Sequence, residues 1–168
     1  MSGRLLWITG AAGAGKSTLA RALLGDWPAA VAPLWLDGDR WRSLLGPLGA
    51  GYAPADRCLI GTALARLAVD LASQGAAVLV TTISRHAEVG TVLAASAAPV
   101  LRVRLCAPLP LLRARRPQIG ADELAWMAAD PWPFALDVEL DVDDPEPTEA
   151  RLRPHLAAWL ACGEGRVA

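Results

Sequence analysis

Apolar and polar positions along this chain fall into blocks with two different periods. Residues 5–9, 34–36 and 76–83 are short, nearly continuous apolar or β-favouring runs. Such runs suit strands covered on both faces. Two further strands are predicted over 99–106 and 137–142. In the first of these Arg102 and Arg104 alternate with apolar residues, which predicts one face open to solvent. The blocks between have helical spacing. One covers 18–24, closed by Gly25, Asp26, Trp27 and Pro28. A long one is capped by Asp56 and carried by Leu59, Ala63, Leu67 and Leu71 to Gly75. Others cover 87–97, 109–116 and 149–161, the last with Pro154 in its first turn or at a kink. Residues 29–33 read as a connection, 46–54 as a loop, and 117–134 as the least regular stretch. Strands alternating with helices, without an internal repeat or a linker, predict one α/β domain over 1–168 with a parallel, doubly wound sheet.

The first strand runs into a glycine-rich turn instead of more apolar sequence. From Gly10 the chain fits G-x-x-x-x-G-K-[ST], and good helix formers follow Thr18. Glycines let the backbone turn its N–H groups onto a polyphosphate, and the helix N-terminus adds its positive end. Gly and Ala are abundant here, so the glycines alone say little. The lysine says more: Lys16 is the only one in the chain, and the other fifteen basic residues are arginine. The pattern predicts an ATP site built by Gly10, Gly13, Ala14, Gly15, Lys16, Ser17 and Thr18. Lys16 would reach the β- and γ-phosphates and the Ser17 hydroxyl would hold Mg²⁺.

Bulk properties narrow the setting. A hydrophobic content of 54% and a mean hydropathy of +0.32 exclude a disordered chain. A net charge of −1 and a pI near 6.1 give no general pull toward nucleic acid or anionic membranes. No apolar run is long enough to span a bilayer, and the first strand starts almost at once after Met1, which predicts a cytoplasmic protein. Cys58, Cys106 and Cys162 are widely spaced and read as buried thiols. His86 and His155 read as surface residues without a metal-ligand neighbourhood. Seven tryptophans stand against one tyrosine and one phenylalanine, and nothing in the sequence assigns them more than core and pocket lining.

The second strand ends in Asp37-Gly38-Asp39. Carboxylates at the carboxyl end of a strand beside a phosphate loop stand where an open α/β sheet keeps its site. One can hold a Mg²⁺-bound water and the other can take a hydroxyl proton, although the same triplet also suits a solvated turn. Arg42 and Arg57 are candidates to grip an anionic substrate, Tyr52 to stack on a ring, and Arg113, Arg115 and Arg116 to close over ATP phosphates as part of a lid over 113–134. A basic last helical turn favoured by the helix dipole explains that cluster equally well.

Together these residues resemble the adenylyl-sulfate kinase family. Leu36-Asp37-Gly38-Asp39-Arg40-Trp41-Arg42 is similar to its L-D-G-D-x-x-R run, Gly51-Tyr52 and Asp56-Arg57 to its G-F and D-R elements, and the strand ending at Ile83-Ser84 to its I-S-P. The resemblance covers about residues 4–106. It implies a P-loop NTPase fold with a parallel five-stranded sheet flanked by helices on both faces, and Mg·ATP-dependent phosphorylation of the 3′-hydroxyl of adenylyl sulfate. Taken with the phosphate-loop and lid readings, it makes Lys16, Asp37 and Asp39 the expected catalytic residues, Ser17 and Asp37 the expected metal ligands, and Arg113 and Arg116 expected nucleotide contacts. Asp39, Arg42, Tyr52, Arg57, Ile83 and Ser84 go to the acceptor. The chain departs from the pattern at Ile60, where the family has Asn, and at Arg85, where it has Pro, and its lid K-G-L-Y is missing. These are acceptor-side and lid features, so another hydroxyl acceptor on a nucleotide-like metabolite, sugar acid or antibiotic stays open, as do a homodimer and a nucleotide-binding switch with slow ATPase activity. Nucleic acid and membrane are not expected partners.

Overall fold

The computed structural model describes residues 3–27 and 32–161. Five strands, β1 (Arg4–Gly10), β2 (Leu34–Asp37), β3 (Ala77–Thr81), β4 (Val100–Cys106) and β5 (Val138–Asp141), form one parallel sheet in the order β2-β3-β1-β4-β5. Seven helices connect them: α1 (Lys16–Asp26), α2 (Gly38–Leu44), α3 (Pro54–Ser73), α4 (Ala87–Ala94), α5 (Leu109–Arg115), α6 (Ala121–Ala128) and α7 (Thr148–Ala161). The alternation of β1 explains the layering. Leu6 and Ile8 point into a core with Leu19 and Leu23 of α1, Leu112 of α5, Leu124 of α6 and Leu152 of α7. Leu5 and Trp7 point the other way, onto Leu64, Ala65 and Ala68 of α3 and Val89 and Leu93 of α4. Both faces are covered, as the unbroken apolar runs require.

Several expectations shift by identifiable physics. Trp27, ahead of a proline, is extended and stops α1, so Gly25 lies inside the helix. Pro54, not Asp56, opens α3: Ala53 is the cap residue and Asp56 stands in the first turn. At its other end Gly75 donates to the Ala72 carbonyl and Ala76 to that of Leu71, a Schellman closure. The buried row of α3 is Ile60, Leu64, Ala65, Ala68 and Ala72, not the Leu59 row, and Leu59 is 71% exposed. In an Ala/Leu-rich helix two rows share the same spacing, and the alanine row admits the closer approach to the sheet. Residues 46–49 of the expected loop are a short 3₁₀ turn. The stretch 117–134 contains α6, and Pro154 lies inside α7, past its first turn.

The largest correction concerns β4. Arg104 is 4% exposed, not solvent-facing. Its guanidinium reaches Asp130, Glu139 at 3.0 Å and the Ala128 carbonyl at 2.9 Å, and it lies 4.7 Å from the Trp132 ring. A buried cation survives because every face of it is satisfied. Arg102, on the same face, makes a two-pronged pair with Asp137. Pro28, residues 29–31 of the 29–33 connection, and Cys162 lie outside the described residues. No described helix is long and apolar enough to cross a membrane.

Candidate active site

The phosphate loop is fixed at both ends by glycine. Gly10 ends β1 at φ +141°, and a Cβ there would stand 2.5 Å from the Leu105 carbonyl oxygen of β4. Gly15, at φ +94°, is the cap of α1, and space opens beside it. The first N–H groups of α1 have no acceptor within the helix, so they face a cleft of about 1020 Å³. Residues 12–18 line it. Gly10 does not, but its carbonyl and that of Ala11 accept from Lys16 Nζ at 2.9 and 2.8 Å. Burial holds the Lys16 ammonium down to about 8, a pull that Asp39 and Asp37 oppose and Arg116 reinforces. An ammonium whose two hydrogen bonds go to loop carbonyls beside the N-terminus of α1 suits a phosphate-binding position.

β2 and β3 run level, with Asp37 opposite Thr81. This register delivers the Asp37 carboxylate to the loop. Its Oδ2 accepts from Thr81 Oγ1 at 2.8 Å and Ser17 Oγ at 3.2 Å, and its Oδ1 from the N–H groups of Asp39 and Arg40. Trp35 Nε1 in turn donates to Thr81 Oγ1. Burial alone would raise the Asp37 carboxyl, but these hydrogen bonds outweigh it and hold it below the ordinary range. The Asp-Gly-Asp triplet is thus a helix cap: Asp37 caps α2 and Asp39 sits in its first turn. Asp39 is exposed in the cleft, and among the described residues no donor reaches its carboxylate. Ser17 and Asp37 together offer only hard oxygen donors, the set that suits Mg²⁺.

The sequence-predicted acceptor residues converge on the far half of the same cleft. Arg42 donates to the carbonyls of Gly49 and Gly51 and lies 4.7 Å from the Tyr52 ring. Arg57 donates to the Tyr52 carbonyl, flanks the rings of Tyr52 and Trp126, and pairs with Glu123 of α6. Ile83 and the buried Ser84 line the floor beside Ile60. Of the arginine cluster, Arg116 lines the cleft and Arg115 donates to the Gly13 carbonyl at 3.0 Å, whereas Arg113 is exposed and outside it.

Sequence reasoning passed over several cleft residues. Thr81 carried a usable signal, as a polar residue at the carboxyl end of a buried strand. Glu123 and Trp126 carried none, because only the fold brings α6 to α3. Arg85, noticed only as a departure, donates to the carbonyls of Ala129 and Pro131 and flanks Trp132. His86 is likewise no plain surface residue: it lines the cleft, its Nε2 is buried, and it stands in a group with Cys58 and Glu88. Cys58 and Cys106 are only partly buried. Four tryptophans now have a role. Trp35, Trp126, Trp132 and Trp159 each present a ring to an arginine.

Known proteins resemble this chain in sequence and in fold. The chain is 39% identical to an adenylyl-sulfate kinase of Deinococcus deserti over 115 residues, 68% of this chain and 63% of that one. It is 37% identical to a cytidine diphosphoramidate kinase of Campylobacter jejuni over 86 residues, 51% of this chain and 49% of that one. In both cases the match spans less than two thirds of the relative's length. The fold superposes on the APS kinase of Mycobacterium tuberculosis solved with AMPPNP and APS, with a TM-score of 0.71 and 27% identity over 95% of this chain and 98% of that one. The family model for adenylylsulphate kinase matches residues 2–118, which hold the phosphate loop, Asp37, Asp39 and the arginines of the acceptor half. On that match the chain belongs to the adenylylsulphate kinase family.

Proposed function

We propose that this protein is an ATP-dependent kinase that transfers the γ-phosphate to a hydroxyl of a small molecule, with adenylyl sulfate as the first acceptor to test. The observation that carries the reading is the contrast between two carboxylates in one cleft. Asp37 has both oxygens occupied by four donors and is held ionised, which suits a metal-water ligand and makes a poor base. Asp39, exposed and unencumbered, is the group that can take a proton. Ser17 and Asp37 would hold Mg²⁺, which when bound neutralises charge on the phosphate oxygens. Lys16 would leave its two carbonyl acceptors for the β- and γ-phosphates. The acceptor oxygen bonds to the γ-phosphorus, the bond from that phosphorus to the ADP oxygen breaks, and the hydroxyl proton passes to Asp39. Arg42, Tyr52 and Arg57 would orient the acceptor.

The test is a coupled assay of ADP release with Mg·ATP, with and without adenylyl sulfate, and product mass. Strong stimulation with a singly phosphorylated product is expected. A slow, unstimulated ATPase with every hydroxyl acceptor tried would sink the kinase reading in favour of a switch.

One observation favours a different acceptor in the same reaction. Arg57 already carries Glu123, and the floor beneath is the apolar Ile60. An acceptor that brings an anionic group to Arg57 has to displace that carboxylate, whereas an acceptor that places a neutral group there does not. Under this reading Glu123→Gln raises kcat/KM for adenylyl sulfate about tenfold or more, a gain of ~1.4 kcal/mol in transition-state binding. Unchanged selectivity would remove Glu123 from the specificity argument.

A further inference from the structure

Behind the acceptor half of the cleft, at the seam of α3 and α4, the sequence leaves a group that the proposed transfer does not use. Cys58 lies on α3, His86 caps α4 and Glu88 lies in its first turn. One imidazole nitrogen, the Cys58 thiol sulfur and a Glu88 carboxylate oxygen all lie within 4.8 Å of one another. We propose that this trio is a binding site for a borderline-soft divalent cation of the zinc type, distinct from the hard oxygen site at Ser17 and Asp37.

Three observations support it. The donor set is sulfur, nitrogen and oxygen, one of each, which zinc accepts and Mg²⁺ does not. A tetrahedral ion with bonds of about 2.0–2.3 Å has its ligand atoms about 3.3–3.8 Å apart, so atoms within 4.8 Å of one another close by about 1.5 Å or less. His86 Nε2 is buried and has no hydrogen-bond partner, an unsatisfied state that a cation bound at that nitrogen would relieve. The electrostatics permit it. Burial keeps His86 below its ordinary range and the imidazole neutral, as a ligand must be, while its own N–H and the Cys58 thiol favour an ionised Glu88. The nearby cation, Arg57, is already paired with Glu123. The Cys58 thiol, held protonated by burial, would lose its proton to solvent as the metal–sulfur bond forms. Three protein ligands leave the fourth tetrahedral position to water. Because His86 lines the cleft, the ion would tie α3 to α4 beside the acceptor subsite.

Co²⁺ is the probe, added to the metal-free full chain with excess Mg²⁺ present to occupy the oxygen site. Using Cys106→Ser/Cys162→Ser leaves Cys58 as the only thiol. The expected result is one Co²⁺ per chain, a thiolate-to-cobalt band in the near ultraviolet, visible bands of tetrahedral intensity, and displacement of both by Zn²⁺. Cys58→Ser should abolish the thiolate band, and Glu88→Gln, on an exposed residue, should weaken binding at least tenfold while the circular dichroism stays unchanged. Weak octahedral absorption without a thiolate band, or a band that survives Cys58→Ser, overturns the proposal. So does Glu88→Gln binding as tightly as the parent, which also decides the matter should Cys58→Ser fail to fold.

Discussion

Lys16 stands where function and stability conflict. Its ammonium is drawn from an ordinary 10.5 down to about 8, first by burial. Each unit corresponds to about 1.4 kcal/mol, but the residue is half-buried and donates two hydrogen bonds, so a net penalty of roughly 1–2 kcal/mol is reasonable. Lys16→Met should therefore stabilise the ligand-free protein by about that much at pH 7, measured by urea denaturation, while abolishing transfer. The advantage has a pH window. Between about 8 and 10.5 the unfolded chain holds the lysine proton that the folded chain has released, so the wild type gains on the variant as pH rises. An advantage that stayed constant from pH 7 to pH 10 would show that desolvation is not its source. The two aspartates separate in the same manner. Asp39→Asn should lower kcat about 10²–10⁴-fold with nucleotide binding retained. Asp37→Asn, which disturbs four hydrogen bonds, should weaken Mg·ATP binding and destabilise the fold by about 1–2 kcal/mol. Equal kinetic signatures for the pair would refute the division of roles. Lys16, Ser17 and both aspartates were legible in the sequence because each belongs to a local run. What sets the two aspartates apart was not, since it depends on Thr81, on the strand beside Asp37.

At the scale of elements, α6 and the turn after it are held from two sides. Arg85 fastens the Ala129 and Pro131 carbonyls, Arg104 fastens Ala128 and Asp130, and Trp132 lies between the two guanidinium groups. The segment offered from sequence as a candidate lid is anchored at its far end, and Arg57 with Glu123 ties α6 to the acceptor cleft. Arg85→Ala should raise amide hydrogen exchange over 126–132 and increase KM for the acceptor several-fold, with little change in kcat. Protection unchanged in the variant would mean that Arg104 alone holds the turn. Arg104→Met should cost more stability, about 1–3 kcal/mol. It should not reach the range of a fully buried pair, because Asp130 and Glu139 are both more than half exposed and can rehydrate. None of this was readable from spacing. Arg85 and Arg104 look like solvated charges in sequence, and only the fold, which returns residues 126–132 over β4 and sets Glu139 of β5 beside Arg104, gives them partners.

The whole molecule is arranged so that chemistry gathers at one edge of the sheet. With β1 flanked by β3 on one side and β4 on the other, the chain leaves β1 and β3 toward opposite faces. The crevice at their carboxyl ends receives Lys16 from one and Thr81 to Ser84 from the other. The alternation of elements predicted the parallel sheet and the family resemblance its five strands, whereas the strand order was not readable, because apolar runs of similar length carry no record of their neighbours. Convergence of loop, strand ends and α5 on one cleft means that nucleotide binding should be felt by the entire fold. A non-hydrolysable ATP analogue with Mg²⁺ at a hundred times its Kd should stabilise the chain by about 2.7 kcal/mol, since only the folded state holds the loop. For a chain of this size that raises Tm by about 5–10 °C. Lys16→Met should show little of that shift despite its higher starting Tm, and Asp39→Asn should keep nearly all of it. A full shift in Lys16→Met would mean that the analogue binds somewhere other than the Gly10–Thr18 loop, and the assignment of the cleft would have to be abandoned.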